Sequence, residues 1–306
     1  MNFHLKKLMM SALAITAMGL TASAQTLQVE SIKKVPVTKG TIVYTATVSP
    51  DGSYVIYSDA TKAGLSKLDL APGKSSQFAA KGDGLDVKIS ADGQEVLFRE
   101  YTTDANRLVW SSLKSKNVKT QKEQVIVAKS RDINGIAIRG NKALAVNKRQ
   151  LASKTLDCKT AVQSEVVVSI FEGQLCVTQN GTTRTISPQG TGNTSYVWPE
   201  LSPDGKRIAY FLIGKGLYVC DLNGKNVRSL GYHHAPKWLD NNTVIAMDDY
   251  DNGSVIVKSS IIAINVNTAK AQTLTPSSIV ATYPSVGNKK ISFVTPKGEL
   301  YNINLK

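Results

Sequence analysis

The chain has 306 residues, 42% of them hydrophobic, and 37 Lys and Arg against 23 Asp and Glu give it a net charge of +14. The basic excess favours anionic surroundings such as acidic polysaccharide, lipid headgroups or acidic proteins. It is scattered in ones and twos (Lys33-Lys34, Lys148-Arg149, Lys289-Lys290) with no reading helix or ribonucleoprotein motif, which argues against nucleic acid as a partner, and no stretch after the N-terminal leader approaches the ~18 consecutive apolar residues of a membrane-spanning helix.

Residues 1–24 read as a signal peptide. Lys6 and Lys7 open it, a mostly apolar run follows from Leu8 to Leu20, and Ala22-Ser23-Ala24 supplies the small-residue cleavage site. No cysteine stands at the expected start of the mature chain, which speaks against a lipid anchor. The protein is therefore expected to be exported after cleavage near Ala24, to the periplasm, the cell surface or the medium, with 25–306 as the mature domain.

Beyond the leader the chain repeats one pattern: an apolar residue, a tight turn, and an alternating strand ending in an aromatic. Val48-Ser49-Pro50-Asp51-Gly52 leads into Ser53 to Tyr57, Ile89-Ser90-Ala91-Asp92-Gly93 into Gln94 to Phe98, and Leu201-Ser202-Pro203-Asp204-Gly205 into Lys206 to Tyr210. Ser, Pro, Asp and Gly in that order suit the four positions of a tight turn joining antiparallel strands. Degraded copies turn near Arg139, Leu239 and Val286. The spacing matches the roughly 40–50 residues of a four-stranded propeller blade, except for one long interval between Arg139 and Ser202, read as an insertion over 147–165. Third strands and polar hairpins recur downstream, as in Gly173 to Gly181 and Gly216 to Gly224, where Asn-Gly is a strong hairpin signal. The last blade ends at Glu299 to Leu305, and Leu27 to Val35 is placed to supply its missing strand. This predicts an all-β, six-bladed β-propeller closed by the N-terminal strand, an arrangement that removes the exposed sheet edge.

The Ser-Pro-Asp-Gly turns, the aromatic-ended second strands and the approaches Pro199-Glu200-Leu201 and Pro236-Lys237-Trp238 resemble the WD40-like repeats of the TolB-type six-bladed propeller family. The resemblance covers nearly all of 25–306. It is strongest around the three Ser-x-Asp-Gly turns. It implies a propeller that works as an envelope interaction module. The sequence leaves no room for the α/β domain that precedes the propeller in TolB itself, which argues against a Pal-like partner. The propeller also resembles the cap of prolyl oligopeptidases, whose hydrolase domain has no counterpart here.

Counting back from each turn places Tyr44 and Thr45, Leu85 and Asp86, Asn134, Trp198, His233 and His234, and Tyr283 at one mouth of the channel. Aromatics, imidazoles, an acid and an amide converging on a funnel make a candidate ligand or partner site. The long loop 147–165, with Lys148, Arg149, Lys154 and Lys159, is expected to hang over the same mouth. Of three cysteines, Cys158 and Cys176 form the candidate disulfide, and Cys220 in an alternating strand reads as a buried thiol.

Enzyme signatures are weak. His4 leaves with the leader, so His233 and His234 alone remain, and neighbours on a strand point to opposite faces; no metal site is assigned. The acidic run Asp248 to Gly253 fails as a calcium loop because Ser260 occupies the closing acidic position. There is no Gly-x-Ser-x-Gly elbow, Gly73-Lys74-Ser75 lacks the upstream glycine of a phosphate loop, and no cofactor motif is present. The expectation is a monomeric, exported, non-catalytic propeller that binds an envelope protein partner or other ligand at the channel mouth. The alternative is a propeller enzyme or binding protein acting on an acidic carbohydrate.

Overall fold

The structure is a computed structural model that describes residues 26–306 apart from 62, 83, 162 and 193; the signal peptide lies outside the described residues. Twenty-six strands among these residues form seven antiparallel sheets. Blade one holds β2 (Val43–Val48), β3 (Tyr54–Asp59), β4 (Leu65–Asp69) and β5 (Lys74–Ala79). Blade two holds β6 (Lys88–Ile89), β7 (Glu95–Thr103), β8 (Val109–Asn117) and β9 (Glu123–Ser130). Blade three has three strands, β10 (Ile133–Arg139), β11 (Lys142–Asn147) and β12 (Gln150–Thr155), as does blade four with β13 (Val166–Phe171), β14 (Gln174–Gln179) and β15 (Thr182–Thr185). Blade five comprises β16 (Tyr196–Leu201), β17 (Arg207–Leu212), β18 (Gly216–Asp221) and β19 (Arg228–Gly231). Blade six comprises β20 (His234–Trp238), β21 (Thr243–Asp251), β22 (Ile256–Asn265) and β23 (Ala271–Thr273). Blade seven joins β24 (Thr282–Gly287), β25 (Lys290–Val294) and β26 (Leu300–Leu305) to β1 (Val29–Lys34) from the other end of the chain. In that closing pair Val29 faces Leu305 and Lys34 faces Tyr301. No helix of the described residues is long and apolar enough to cross a membrane.

The blade count corrects the sequence expectation: there are seven blades, not six. The long interval between Arg139 and Ser202 is no insertion but the rest of blade three and all of blade four. Blade four's first turn is Glu172-Gly173, with both residues left-handed (φ 50° and 74°). Such a two-residue turn matches strand twist without any Ser-Pro-Asp-Gly signature. The expected loop over the mouth is likewise absent. Lys148 and Arg149 are the left-handed turn between β11 and β12 (φ 51° and 62°). Lys154 lies on β12 and donates to the Val125 carbonyl of β9 at 2.6 Å. Lys159 donates its backbone N–H to Asp92 Oδ2 in the first turn of blade two at 2.7 Å.

The recognisable turns owe their sequence to one buried hydroxyl. Ser49, Ser90 and Ser202 are fully buried. Each donates to the Asp two residues on at 2.6 Å and accepts backbone N–H from the chain entering the next strand: one for Ser90, from Glu95, and two for Ser49 and Ser202, those of Ser202 coming from Lys206 and Arg207 at 3.2 and 2.9 Å. Gly205, at φ 73°, closes the turn by donating to the Ser202 carbonyl at 2.8 Å.

Apolar side chains fill the seams between blades rather than a single central core. Tyr54, Ile56, Val96 and Phe98 join blades one and two; Leu113, Ile136 and Ala145 join two and three; Val177, Tyr196 and Tyr210 join four and five. Comparable clusters join five to six, six to seven, and seven to one. The seam between blades three and four is the thinnest, with Leu144, Val146 and Val167 as its buried members.

The three cysteines are free thiols, so the expected Cys158–Cys176 disulfide is not formed. The two belong to different blades. Cys158 follows β12 and sits 3.3 Å from Thr160 Oγ1, whereas Cys176 is buried in β14 beside Thr185 Oγ1 at 3.5 Å.

Candidate functional site

The inner strands break their ladders at the same place. Register shifts set Tyr44, Asn134, Trp198-Pro199, Ala235-Pro236 and Tyr283-Pro284 out of the pairing in blades one, three, five, six and seven. Proline has no N–H to give to a ladder, so a bulge is where an inner strand tolerates it. The residues before those prolines, Trp198, Ala235 and Tyr283, are left-handed at φ 50°, 49° and 50°. Asp86 in blade two has φ 58°. A non-glycine residue in this region, and before proline, is strained by about 1–3 kcal/mol.

These bulges hold an aromatic group at one mouth of the channel. Trp198 and Tyr283 are 42% and 50% exposed although they sit on innermost strands. The Trp198 ring lies 5.7 Å from Phe211 and 5.6 Å from His234. His234 lies 4.5 Å from Phe211 and 5.3 Å from Tyr232, which is 57% exposed. Beneath the rings, His234 Nδ1 meets Asp249 Oδ1 at 2.6 Å, and the Asp249 side chain is almost wholly buried. Tyr283 donates its backbone N–H to Met247 Sδ at 3.5 Å; burial pushes its phenol up, with Tyr44 and Asp249 adding to the shift. His233 points away to a different carboxylate, Asp248 Oδ1, at 3.0 Å. Among the described residues no cluster of three His, Cys, Asp or Glu side chains forms.

Below the rings the channel is spanned by charge. Glu200 of blade five reaches Lys88 of blade two at 3.5 Å and also pairs with Lys237 of blade six. Lys88 in turn meets Asp86 at 3.4 Å, and Asp86 meets Arg99 at 3.4 Å. Burial alone would push the Glu200 carboxyl up, but Lys237 and Lys88 outweigh it and hold the group below its ordinary range. Lys88 is driven the other way: burial opposes its charge, and Glu200 and Asp86 more than restore it.

Of the residues expected at the rim, Tyr44, Trp198, His234 and Tyr283 therefore gather on one side, across blades five, six, seven and one. Asp86 belongs to the channel network instead, and Asn134 lies on blade three with a buried side-chain oxygen that has no partner. Sequence reasoning missed Phe211, Tyr232, Asp249 and the channel charges. For two of the charges a signal existed: Lys88 and Glu200 each stand two residues after an expected rim position, Asp86 and Trp198.

A seven-bladed β-propeller with an aromatic mouth is thus the class this fold defines. Solved structures of similar fold include catalytically inactive virginiamycin B lyase from Staphylococcus aureus with quinupristin, at 15% identity and TM-score 0.60, covering 90% of this chain and 99% of that one. A TolB-like protein from Agrobacterium tumefaciens is similar at 13% identity and TM-score 0.55, with 90% and 96% covered. TolB from Acinetobacter baumannii is similar at 15% identity and TM-score 0.53 over 78% of this chain and 55% of that one. No family model matches the sequence. No curated protein matches it either. At these identities the likeness is one of fold.

Proposed function

We propose that this chain is an exported, TolB-like propeller without chemistry of its own, which binds an envelope protein partner at the aromatic mouth. The observation that carries this reading is the pair Trp198 and Tyr283, each held exposed by a left-handed residue before a proline. Backbone strain of this kind persists where the surrounding structure over-determines it, and it clusters at binding and active sites. Exposed aromatics at a concave mouth are also the usual anchors of protein interfaces. The TolB resemblance of the turns fits an envelope role, although seven blades set this chain apart from the six of that family.

The test is a photo-crosslinking amino acid placed at Tyr232 in the exported protein. A discrete crosslinked partner is expected, and it should disappear in the Trp198→Ala, Tyr283→Ala double variant while the thermal transition stays cooperative. The same product from a probe at Lys206, in the first turn of blade five, would sink the assignment of the mouth.

One observation favours the carbohydrate alternative. Asp249 fixes the ring of His234 through Nδ1, the arrangement that prepares the other ring nitrogen for acid–base work. Turnover of an acidic oligosaccharide that is lost in His234→Ala would replace the binding reading with an enzymatic one.

A further inference from the structure

A second candidate site lies on other blades than the aromatic group, in a cleft of about 570 Å³ between blades two and three. Its volume falls within the usual ~300–1,000 Å³ of small-ligand sites. The lining is rich in cations, beside the apolar Val127 and Ala128. Lys129, Arg131 and Lys148 line it; Lys129 also acts on Asp104, whose carboxyl it helps to hold low. The one carboxylate of the lining is Asp132, on an exposed residue. Asn147, also in the lining, accepts from the Ser130 hydroxyl through Oδ1 at 2.7 Å, which leaves its amide nitrogen as the group with donors to give.

An indole completes the lining. Trp110 is anchored by its Nε1 donating to Asp104 Oδ2 at 2.8 Å, and Lys129 Nζ sits 4.9 Å from the ring centroid. The backbone around the cleft is built to be irregular. The pairing of β8 with β9 shifts between Ser111–Ser130 and Leu113–Val127, so Ala128 and Lys129 bulge out of the ladder. A broken edge does not template an added strand, which disfavours an extended acidic peptide. Opposite it, Lys148 is left-handed and its N–H is held by the Asp132 carbonyl at 3.1 Å, so the turn carrying that cation is fixed in place.

We infer that this cleft binds a carboxylated sugar unit of an acidic polysaccharide. The carboxylate is matched by Lys129 and Arg131, the hydroxyls by Lys148 and Asn147, and the flat face of the ring by Trp110. Three cations and an amide suit an acceptor-rich anion, and an anchored aromatic face suits a ring more than a bare ion. The inference does not rest on the aromatic mouth: a partner there and a sugar here are separate events.

The experiment titrates the 25–306 chain with a uronate trisaccharide and with its carboxyl-reduced, neutral counterpart, followed by calorimetry and Trp fluorescence. Tri-glutamate peptide and vesicles of anionic phospholipid serve as further arms. Saturable uronate binding that weakens with salt is expected, with the neutral sugar about tenfold weaker or worse, since bonds to charged groups contribute about 1.5–3 kcal/mol each. Lys129→Gln with Arg131→Gln should lower uronate affinity by about tenfold or more, and Trp110→Phe should lower it less. Lys270→Gln, a surface control that matches the charge lost in Arg131→Gln alone, should bind as the parent does. Arg131→Gln alone covers the case in which the double variant folds poorly. Equal binding of the neutral sugar, unchanged affinity in the Lys129 and Arg131 variants, or equally tight variant-sensitive binding of the peptide or the vesicles would each overturn the inference.

Discussion

Glu200→Gln removes the one carboxylate that ties blades two, five and six together across the channel. In the parent, Glu200 stands 3.5 Å from Lys88, a separation that corresponds to about 5 kcal/mol of attraction at an effective dielectric of about 20. Desolvation of both groups cancels part of this, and Lys88 keeps Asp86 at 3.4 Å, so the loss should fall at the low end of the ~3–5 kcal/mol found when one member of a buried pair is removed. About 3 kcal/mol corresponds to a fall in thermal midpoint of roughly 6–12 °C for a chain of this size. The sign with pH follows from the lowered carboxyl. A depressed carboxylate contributes stability above its unfolded-state value, ordinarily 4.5, and that contribution is lost as pH falls through the folded-state value. Thermal melts of parent and variant, followed by circular dichroism from pH 7 to pH 3, should therefore stay apart near neutrality and converge in acid. A variant that melts with the parent at pH 7, or a gap that ignores pH, would refute the argument that the channel charges are coupled.

Two further outcomes follow from the same structure. Ser202→Ala removes the fully buried hydroxyl that accepts the Arg207 N–H and leaves the Lys206 N–H to Asp204 Oδ1 alone, so urea unfolding should show a loss of about 1–2 kcal/mol; less than ~0.5 kcal/mol would mean the hydroxyl is dispensable. Denatured, unreduced protein should take up one thiol label on each of Cys158, Cys176 and Cys220, whereas the native protein should react at Cys158 alone, since Cys220 is buried with its thiol pushed up to about 12. Labelling of only Cys220 after denaturation would restore the disulfide.

The propeller was legible because its commonest turn writes itself in sequence. Ser49, Ser90 and Ser202 must be serine-like to hold the next strand's amides, and Asp and Gly follow from the geometry. Blade four escaped notice because Glu172-Gly173 makes the same reversal with two left-handed residues and no hydroxyl. The flanking strands Val166 to Phe171 and Gln174 to Gln179 carried the needed alternation, and the oversized interval around them was the available clue. At the mouth, counting back from the turns found Trp198, His234 and Tyr283. It could not find Phe211, Tyr232 or Asp249, because those reach the site from β17, from the residue stretch before β20, and from β21, and their convergence depends on how neighbouring blades stack. The Cys158–Cys176 expectation failed for a related reason: nearness in sequence says nothing once a blade boundary falls between two residues.

The pairing of β1 with β26 has a consequence for how the ring comes to be made. Each of the other blades is a run of hairpins, assembled from neighbours within a few tens of residues. Blade seven alone needs Val29–Lys34 to meet Leu300–Leu305, and closing a loop of that length costs about 5 kcal/mol of chain entropy if nothing between is yet folded. The first strand of the ring to be synthesised is therefore the last to find its place, and until then two unpaired sheet edges are exposed. Joining the segment of β1 after Leu305 through a short turn would convert this meeting into one more hairpin, and the permuted chain should reach the closed ring faster while ending with the same seven blades.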